Sequence, residues 1–263
     1  MDRLDSRIPY SGCPLCAAAD CIEVMVADCS QHPMYKPPLP KAQRWMECKS
    51  CGHMFVDGYF GPAALKILFS STQEAQTPGF EVENQRYVWA RVIETVHEIR
   101  PRLRGRWLDV GFGNGSLLIT AAEFGYEVVG LDLREESVRM LSEAGFETHA
   151  VLFEEYRPSE PFDVISMADV LEHMPFPKPA LYHARAILQP GGLLFLSMPN
   201  ADSFMWRLLT GNKVNPYWGE IEHYHNFGRK RLYALLEECG FEPARYGVST
   251  RYRACMEVIA RKV

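Results

Sequence analysis

Apolar and polar positions divide the chain into two regimes. From residue 81 onward, short apolar runs alternate with stretches of helical period. The runs fall at 107–110, 128–132, 147–151, 163–167 and 193–198. Most are rich in Val, Ile, Leu or Met, the pattern of strands buried on both faces. Helices are predicted to start near Gly115, Arg134, Pro179 and, after the last run, Arg229. An earlier helix over 81–99 should end at Arg100-Pro101, because the residue before proline avoids helical backbone. Such alternation predicts an α/β fold with a doubly wound parallel sheet. Residues 246–252 and 255–262 have no helix between them and should close that sheet as an antiparallel hairpin.

The first eighty residues read differently. Lys36-Pro-Pro-Leu-Pro40 is a stiff loop rather than a sheet interior. Residues 44–48 and 53–56 read as short strands. Residues 61–80 look like a linker with one short helix, and its polar part, 70–79, could serve as a lid. The expected domains are 1–60, a small metal-nucleated unit; 61–80, the linker; and 81–263, the doubly wound domain.

Composition narrows the function classes. A chain of 263 residues, 47% hydrophobic and 23% charged, can bury a sizeable core. A formal net charge of −5 leaves no overall electrostatic footprint for nucleic acid. No apolar run approaches the ~20 residues needed to span a bilayer, so membrane insertion is not expected. The opening Met-Asp-Arg-Leu-Asp-Ser-Arg-Ile-Pro has no signal-peptide hydrophobic region, and the cytoplasm is the expected compartment.

Six of the eight cysteines lie in the first 51 residues. Cys13-Pro-Leu-Cys16 and Cys48-Lys-Ser-Cys51 form two C-x2-C pairs. Two-residue spacing lets both thiolates of a pair reach one tetrahedral ion, and two pairs complete a four-cysteine shell. In a reducing compartment this favours a structural zinc over disulfides. Cys21, Cys29, His32 and His53 are rival ligands. The basic bias of this region, Lys36, Lys41, Arg44 and Lys49 against Asp28 and Glu47, is weak.

The most telling segment is Trp107-Leu-Asp-Val-Gly-Phe-Gly-Asn-Gly115. A strand runs into Asp109 and then into Gly111, Gly113 and Gly115. Glycines there let a ligand approach the backbone, and the helix start behind them offers unpaired N–H groups. The spacing departs from a dinucleotide fingerprint, since Ser116 follows Gly115 where that pattern has its third small residue. A second strand ends in Asp132, about 20 residues after Gly111, where an acid accepts from ribose hydroxyls.

These pieces, with Pro161-Phe-Asp-Val-Ile-Ser-Met-Ala-Asp169-Val-Leu-Glu172-His173 and Leu188-Gln-Pro-Gly-Gly192, resemble class I S-adenosylmethionine-dependent methyltransferases over roughly 80–263. The resemblance implies a Rossmann-like sheet with an antiparallel C-terminal strand and S-adenosylmethionine as cofactor. It implies Asp109 near the methionine amino group, Gly111 and Gly113 against the methionine portion, and Asp132 on the ribose. Leu133 and Phe153 would pack on the adenine, and Asp169 would border the site. The 169–173 segment resembles that of quinone-biosynthesis O-methyltransferases, where acids and a histidine can hold a divalent cation. By that reading Asp169, Glu172 and His173 are cation ligands; the alternative is that Asp169 and Glu172 cap the next helix or line the pocket without a metal.

After the fifth strand comes Tyr217-Trp-Gly-Glu-Ile-Glu222-His223-Tyr-His-Asn-Phe227. His223 could deprotonate a hydroxyl nucleophile with Glu222 as orienting acid, and His173 is the next candidate base. Paired C-x2-C knuckles ahead of such a domain also resemble zinc-bearing methyltransferases of sugar and antibiotic pathways. The implied substrate is a small molecule or saccharide, with oxygen as the expected acceptor. An RNA or protein methyltransferase docking through the zinc ribbon and a non-catalytic binding module are the other two readings. Oligomeric state is not legible in the sequence.

Overall fold

The computed structural model describes residues 4–69, 74–101, 105–252 and 254–263. Residues 70–73, the start of the expected lid, lie outside them. In chain order the strands and helices are β1 (Ile8–Pro9), β2 (Cys21–Asp28), β3 (Ala42–Cys48), β4 (Met54–Val56), β5 (Gly58–Tyr59), α1 (Pro62–Leu68) and α2 (Val82–Ile99). Then follow β6 (Arg106–Val110), α3 (Ser116–Glu123), β7 (Glu127–Leu131), α4 (Glu135–Glu143), β8 (Glu147–His149) and β9 (Phe162–Ala168). The rest are α5 (Pro177–Ile187), β10 (Leu188–Pro199), α6 (Phe204–Gly211), β11 (His225–Asn226), α7 (Arg229–Glu238), β12 (Phe241–Val248) and β13 (Cys255–Lys262). They form two compact units: 1–71 with 172–178 and 199–235, and 72–171 with 179–198 and 236–263.

The larger unit carries a seven-stranded sheet in the order β12-β13-β10-β9-β6-β7-β8. Strands β10, β9, β6, β7 and β8 pair in parallel, and β12 pairs antiparallel with β13. The expected α/β sheet with an antiparallel end is therefore present. Trp107, Leu108, Val164, Ile165 and Leu193 to Leu196 are all buried, which is why these strands read as continuous apolar runs rather than alternating ones. On α2, Trp89, Val92, Ile93 and Val96 recur at helical period and pack with Trp107, Leu117, Tyr126, Val164, Phe195 and Ile259. The hairpin begins earlier than its apolar pattern suggested, at Phe241 rather than 246. Pro243 lies inside β12, beside a register shift, and an edge strand tolerates the missing donor.

Beyond β6 the chain winds to β7 and β8 on one side, then returns to β9 and β10 on the other. The order therefore reverses between β6 and β9. In open α/β sheets, ligands gather at such a switch point, outside the carboxyl ends of the strands. Asp109 and Gly111 stand at that end of β6, and Asp169 follows β9.

The smaller unit holds a four-stranded sheet in the order β11-β4-β3-β2 and the short β1-β5 pair. Its expected strands at 44–48 and 53–56 correspond to β3 and β4. Strand β2 escapes a pattern reading because a register shift between Glu23 and Met25 breaks the two-residue period. Helix α6 likewise had no predicted counterpart, although Ser203 caps it by accepting from Trp206 N at 3.0 Å. The unit's core joins Cys29, Met34, Leu39, Phe60, Ala64 and Leu68 to Ile221 and Tyr224, residues far along the chain. Arg7, beside the Phe60 ring, donates to Gln43 Oε1 at 2.5 Å and to the Ile221 carbonyl at 2.8 Å. No helix among the described residues is long and apolar enough to cross a membrane.

Candidate active site

The glycine loop leads from β6 into α3. Gly111, at φ +67°, donates its N–H to the Leu131 carbonyl at 2.7 Å. A Cβ there would stand 2.7 Å from Val170 Cγ2, so both the left-handed backbone and the close approach require glycine. At Gly113, φ +59°, a Cβ would have only the Gly111 carbonyl oxygen nearby, at 3.9 Å. The loop thus leaves open space beside Gly113. Asn114 Oδ1 accepts from Ser116 N at 3.2 Å and Ser116 Oγ at 2.7 Å, and Trp89 Nε1 donates to Ser116 Oγ at 2.7 Å. The helix start is therefore tied to α2.

Three acids lie at the carboxyl ends of β6, β7 and β9. Asp109 is buried and accepts from Ser166 Oγ at 2.6 Å, while Ser166 Oγ takes the Trp107 indole N–H at 2.8 Å. Burial pushes the Asp109 carboxyl up to about 7; Asp132 adds to the rise, and the Ser166 hydroxyl and Arg251 oppose it. Because this folded value lies above the ordinary aspartate value of ~3.9, folding is favoured while the group is protonated. The cost grows as pH rises from ~4 through about 7. A ligand ammonium on Asp109 requires the ionised form, so the sign for binding is the opposite. Calorimetric affinity for S-adenosylmethionine should rise from about pH 6 to about pH 8, and Asp109→Asn should flatten that rise. An unchanged slope in the Asn variant would remove Asp109 from the site.

Asp132 is held by Arg134 through its N–H at 3.0 Å, Nε at 2.7 Å and Nη2 at 2.5 Å, and it accepts from Gly113 N at 3.2 Å. Arg134 also reaches Gln76 Oε1 at 2.7 Å. The carboxylate is thereby fixed at the glycine loop. Leu133, next to it, is 48% exposed, an apolar side chain left at the surface. Phe153 is buried in a short 3-10 turn after β8 and meets the His183 ring edge-on, centroids 4.9 Å apart. Asp169 has φ +55°, forms an ion pair with Arg251 and accepts from Ser197 Oγ at 3.3 Å.

The candidate acid–base residues lie in the smaller unit. His173 and His223 meet edge-to-face with ring centroids 4.6 Å apart. His173 Nδ1 donates to the Glu222 carbonyl at 3.2 Å, which leaves the lone pair on Nε2. His223 Nδ1 is buried without a hydrogen-bond partner. Burial holds both rings uncharged: His173 is pulled down to about 4 and His223 lies well below the ordinary histidine value. Glu172 is fully buried, and neither carboxyl oxygen has a hydrogen-bond partner. Burial raises it to about 8. One ligand atom each from Glu172, His173 and His223 lie within 4.8 Å of one another.

Two sequence expectations look different against this geometry. The Asp169 carboxylate is engaged by Arg251, and the residue grouped with Glu172 and His173 is His223. No hydrogen bond joins the Glu222 carboxylate to His223. It instead approaches His32 Nε2, at 3.4 Å, while Glu220 sits 2.7 Å from the same nitrogen. His32 Nδ1 accepts from Met34 N at 3.2 Å, so Nε2 carries the proton and donates to Glu220. Ser166, Trp89 and Arg251 were not singled out in the sequence: Ser166 is one polar residue within the 161–173 segment, and Trp89 and Arg251 lie outside any motif.

In the same unit, Cys13, Cys16, Cys48 and Cys51 bring their sulfurs within 4.8 Å of one another. The Cys13–Cys51 and Cys16–Cys48 sulfurs are 3.7 and 3.5 Å apart. Four thiolates ~2.3 Å from a tetrahedral ion stand roughly 3.8 Å apart, so the donor set fits zinc. The rivals are occupied elsewhere: Cys21 with the Ala18 carbonyl, Cys29 with Gln43, and His53 Nε2 with His225 Nδ1 at 3.0 Å.

A family profile described as "Methyltransferase domain" matches residues 82–245. The chain belongs to the class I S-adenosylmethionine-dependent methyltransferases. A ubiquinone biosynthesis O-methyltransferase of Bordetella avium is 30% identical over 165 residues, 58% of this chain and 68% of that protein. Its counterpart in Thiobacillus denitrificans is 34% identical over 131 residues, 42% of this chain and 56% of that one. Among solved structures, the 1,6-didemethyltoxoflavin-N1-methyltransferase of Burkholderia thailandensis, with bound 1,6-didemethyltoxoflavin and S-adenosylhomocysteine, aligns with a TM-score of 0.59. The alignment covers 80% of this chain and 96% of that one at 21% identity. The magnesium protoporphyrin IX methyltransferase of Synechocystis PCC 6803, with bound S-adenosylhomocysteine, aligns at 0.55 with 20% identity, covering 79% and 90%. At these identities the solved structures establish the fold of this methyltransferase, not its substrate.

Proposed function

We propose that this methyltransferase acts on an oxygen of a small molecule or saccharide, with a neutral histidine as general base. The observation that carries the reading is the uncharged, edge-to-face pair of buried His223 and half-buried His173. S-adenosylmethionine, when bound, supplies a methyl group on a sulfonium. A hydroxyl acceptor must lose one proton in that displacement, and a neutral imidazole within hydrogen-bond reach can take it. His223 is the favoured base and His173 the next. Glu222 acts through its carbonyl, which anchors the His173 ring. Gly111, Gly113 and the start of α3 cradle the cofactor, Asp109 takes its ammonium and Asp132 its ribose. Relatives named for O-methylation support oxygen as the acceptor.

Cys13, Cys16, Cys48 and Cys51 would hold one structural zinc, with all four positions filled by protein and none left for substrate. A second reading of the histidine group is favoured by Glu172, whose two buried oxygens have no partner. With His173 and His223 it could hold a divalent cation, which would acidify a bound hydroxyl.

Incubation of the protein and isotopically labelled S-adenosylmethionine with a cell extract, followed by mass spectrometry, tests the substrate class. Label is expected in low-mass products as an O-methyl group. Label found only in RNA or protein would overturn the reading.

A further inference from the structure

The acids around the glycine loop raise a problem of charge. Asp109, Asp132 and Asp169 all stand at the carboxyl ends of neighbouring strands, yet the donor's amino-acid end is a zwitterion. Its carboxylate would be repelled there unless a cation stood among the acids. Arg134 is spent on Asp132 and Gln76. Arg251, from the turn between β12 and β13, remains.

Arg251 is built into this place. Its guanidinium lies 5.0 Å from the Trp89 ring centroid and 4.4 Å from that of Tyr252, so aromatic rings flank it. Trp89 is the residue whose indole N–H holds Ser116, at the start of the helix behind the loop. Asp169 pairs with Arg251 from a left-handed backbone, φ +55°, which an aspartate adopts at some cost. The next residue, Val170, is the one that packs against Gly111. Arg251 is also the cation that acts on Asp109. A guanidinium has five N–H donors, and among the described residues the side-chain acceptor that meets Arg251 is Asp169.

We propose that Arg251, positioned by Asp169, Trp89 and Tyr252, binds the α-carboxylate of the methyl donor while Asp109 binds its α-ammonium. The proposal rests on the cofactor site described above. It assigns the recognition of the donor's amino-acid end to a residue of the C-terminal hairpin.

Two ligands that differ only in that carboxylate test it: S-adenosylmethionine and its decarboxylated analogue. Calorimetry on the full chain should show the native protein preferring the carboxylate-bearing ligand. Arg251→Met should lower its affinity roughly 10–100-fold, the scale of charge-assisted hydrogen bonds, with the analogue's affinity unchanged. Arg251→Lys keeps the charge and should restore part of the preference. An equal fall for both ligands in Arg251→Met, or no fall for either, would overturn the proposal. If the native chain bound neither ligand, the cofactor site itself would be overturned; binding of both with no preference would overturn only the role of Arg251.

Discussion

His223→Ala is expected to lower turnover roughly 10²–10⁴-fold, the usual contribution of a positioned general base. Affinity for S-adenosylmethionine should be unchanged, since the glycine loop and the acids that hold it belong to other strands. The expectation follows from the state of the ring. Burial keeps His223 uncharged, so it arrives at the reaction able to accept a proton, and its buried Nδ1 has no internal partner. His173 differs in that its Nδ1 proton is anchored to the Glu222 carbonyl, which presents Nε2 as acceptor. Steady-state kinetics with cofactor binding measured in parallel decides between them. A loss below tenfold for His223→Ala, with a large loss for His173→Ala, transfers the role to His173. Turnover that survives both single variants and the double variant would sink the histidine-base mechanism. Inhibition of the native protein by a chelator would instead favour a cation at Glu172, His173 and His223.

The second large effect concerns the cysteines. Purified protein is expected to carry one zinc per chain, and Cys48→Ser should abolish it. Cys48 is fully buried at the end of β3, and its sulfur lies 3.5 Å from that of Cys16. A serine hydroxyl there is neutral and hard, a poor replacement for a thiolate. Structural zinc sites contribute about 10–16 kcal/mol in small zinc-finger peptides, so loss of the ion should loosen the strands that it joins. Limited proteolysis within residues 1–60 should speed up in the variant. The core around Phe60, Leu68, Ile221 and Tyr224 contains none of the four ligand cysteines and should limit the damage to that sheet. Metal analysis together with proteolysis checks the expectation. Full zinc retention in Cys48→Ser would mean that another residue, such as Cys29 or His53, is the true fourth ligand.

Much of the fold and part of the site could be read from the sequence, because they depend on local patterns. Apolar runs alternating with helical stretches specify strands covered on both faces, and hence a parallel doubly wound sheet; the strand order and its switch point between β6 and β9 came with the structure. The glycine spacing specifies a turn that only glycine can make beside Val170. Two C-x2-C pairs specify four sulfurs that can meet around one ion. Each signal needs only residues close together in the chain, or a repeated chemical spacing.

Tertiary structure alone decided the rest. Strand β11 pairs with β4, and Tyr224 N donates to the Glu172 carbonyl at 2.9 Å. Those long-range backbone contacts bring His173 and His223 ring to ring and turn the Glu222 carboxylate toward His32. Arg251 reaches Asp169 because the C-terminal hairpin joins the sheet beside β10. A single sequence carries no periodicity that links residues 50 or 80 positions apart. Which charges neutralise one another, and which buried carboxyl is left without a partner, is settled only when distant strands pair and water is excluded from between them.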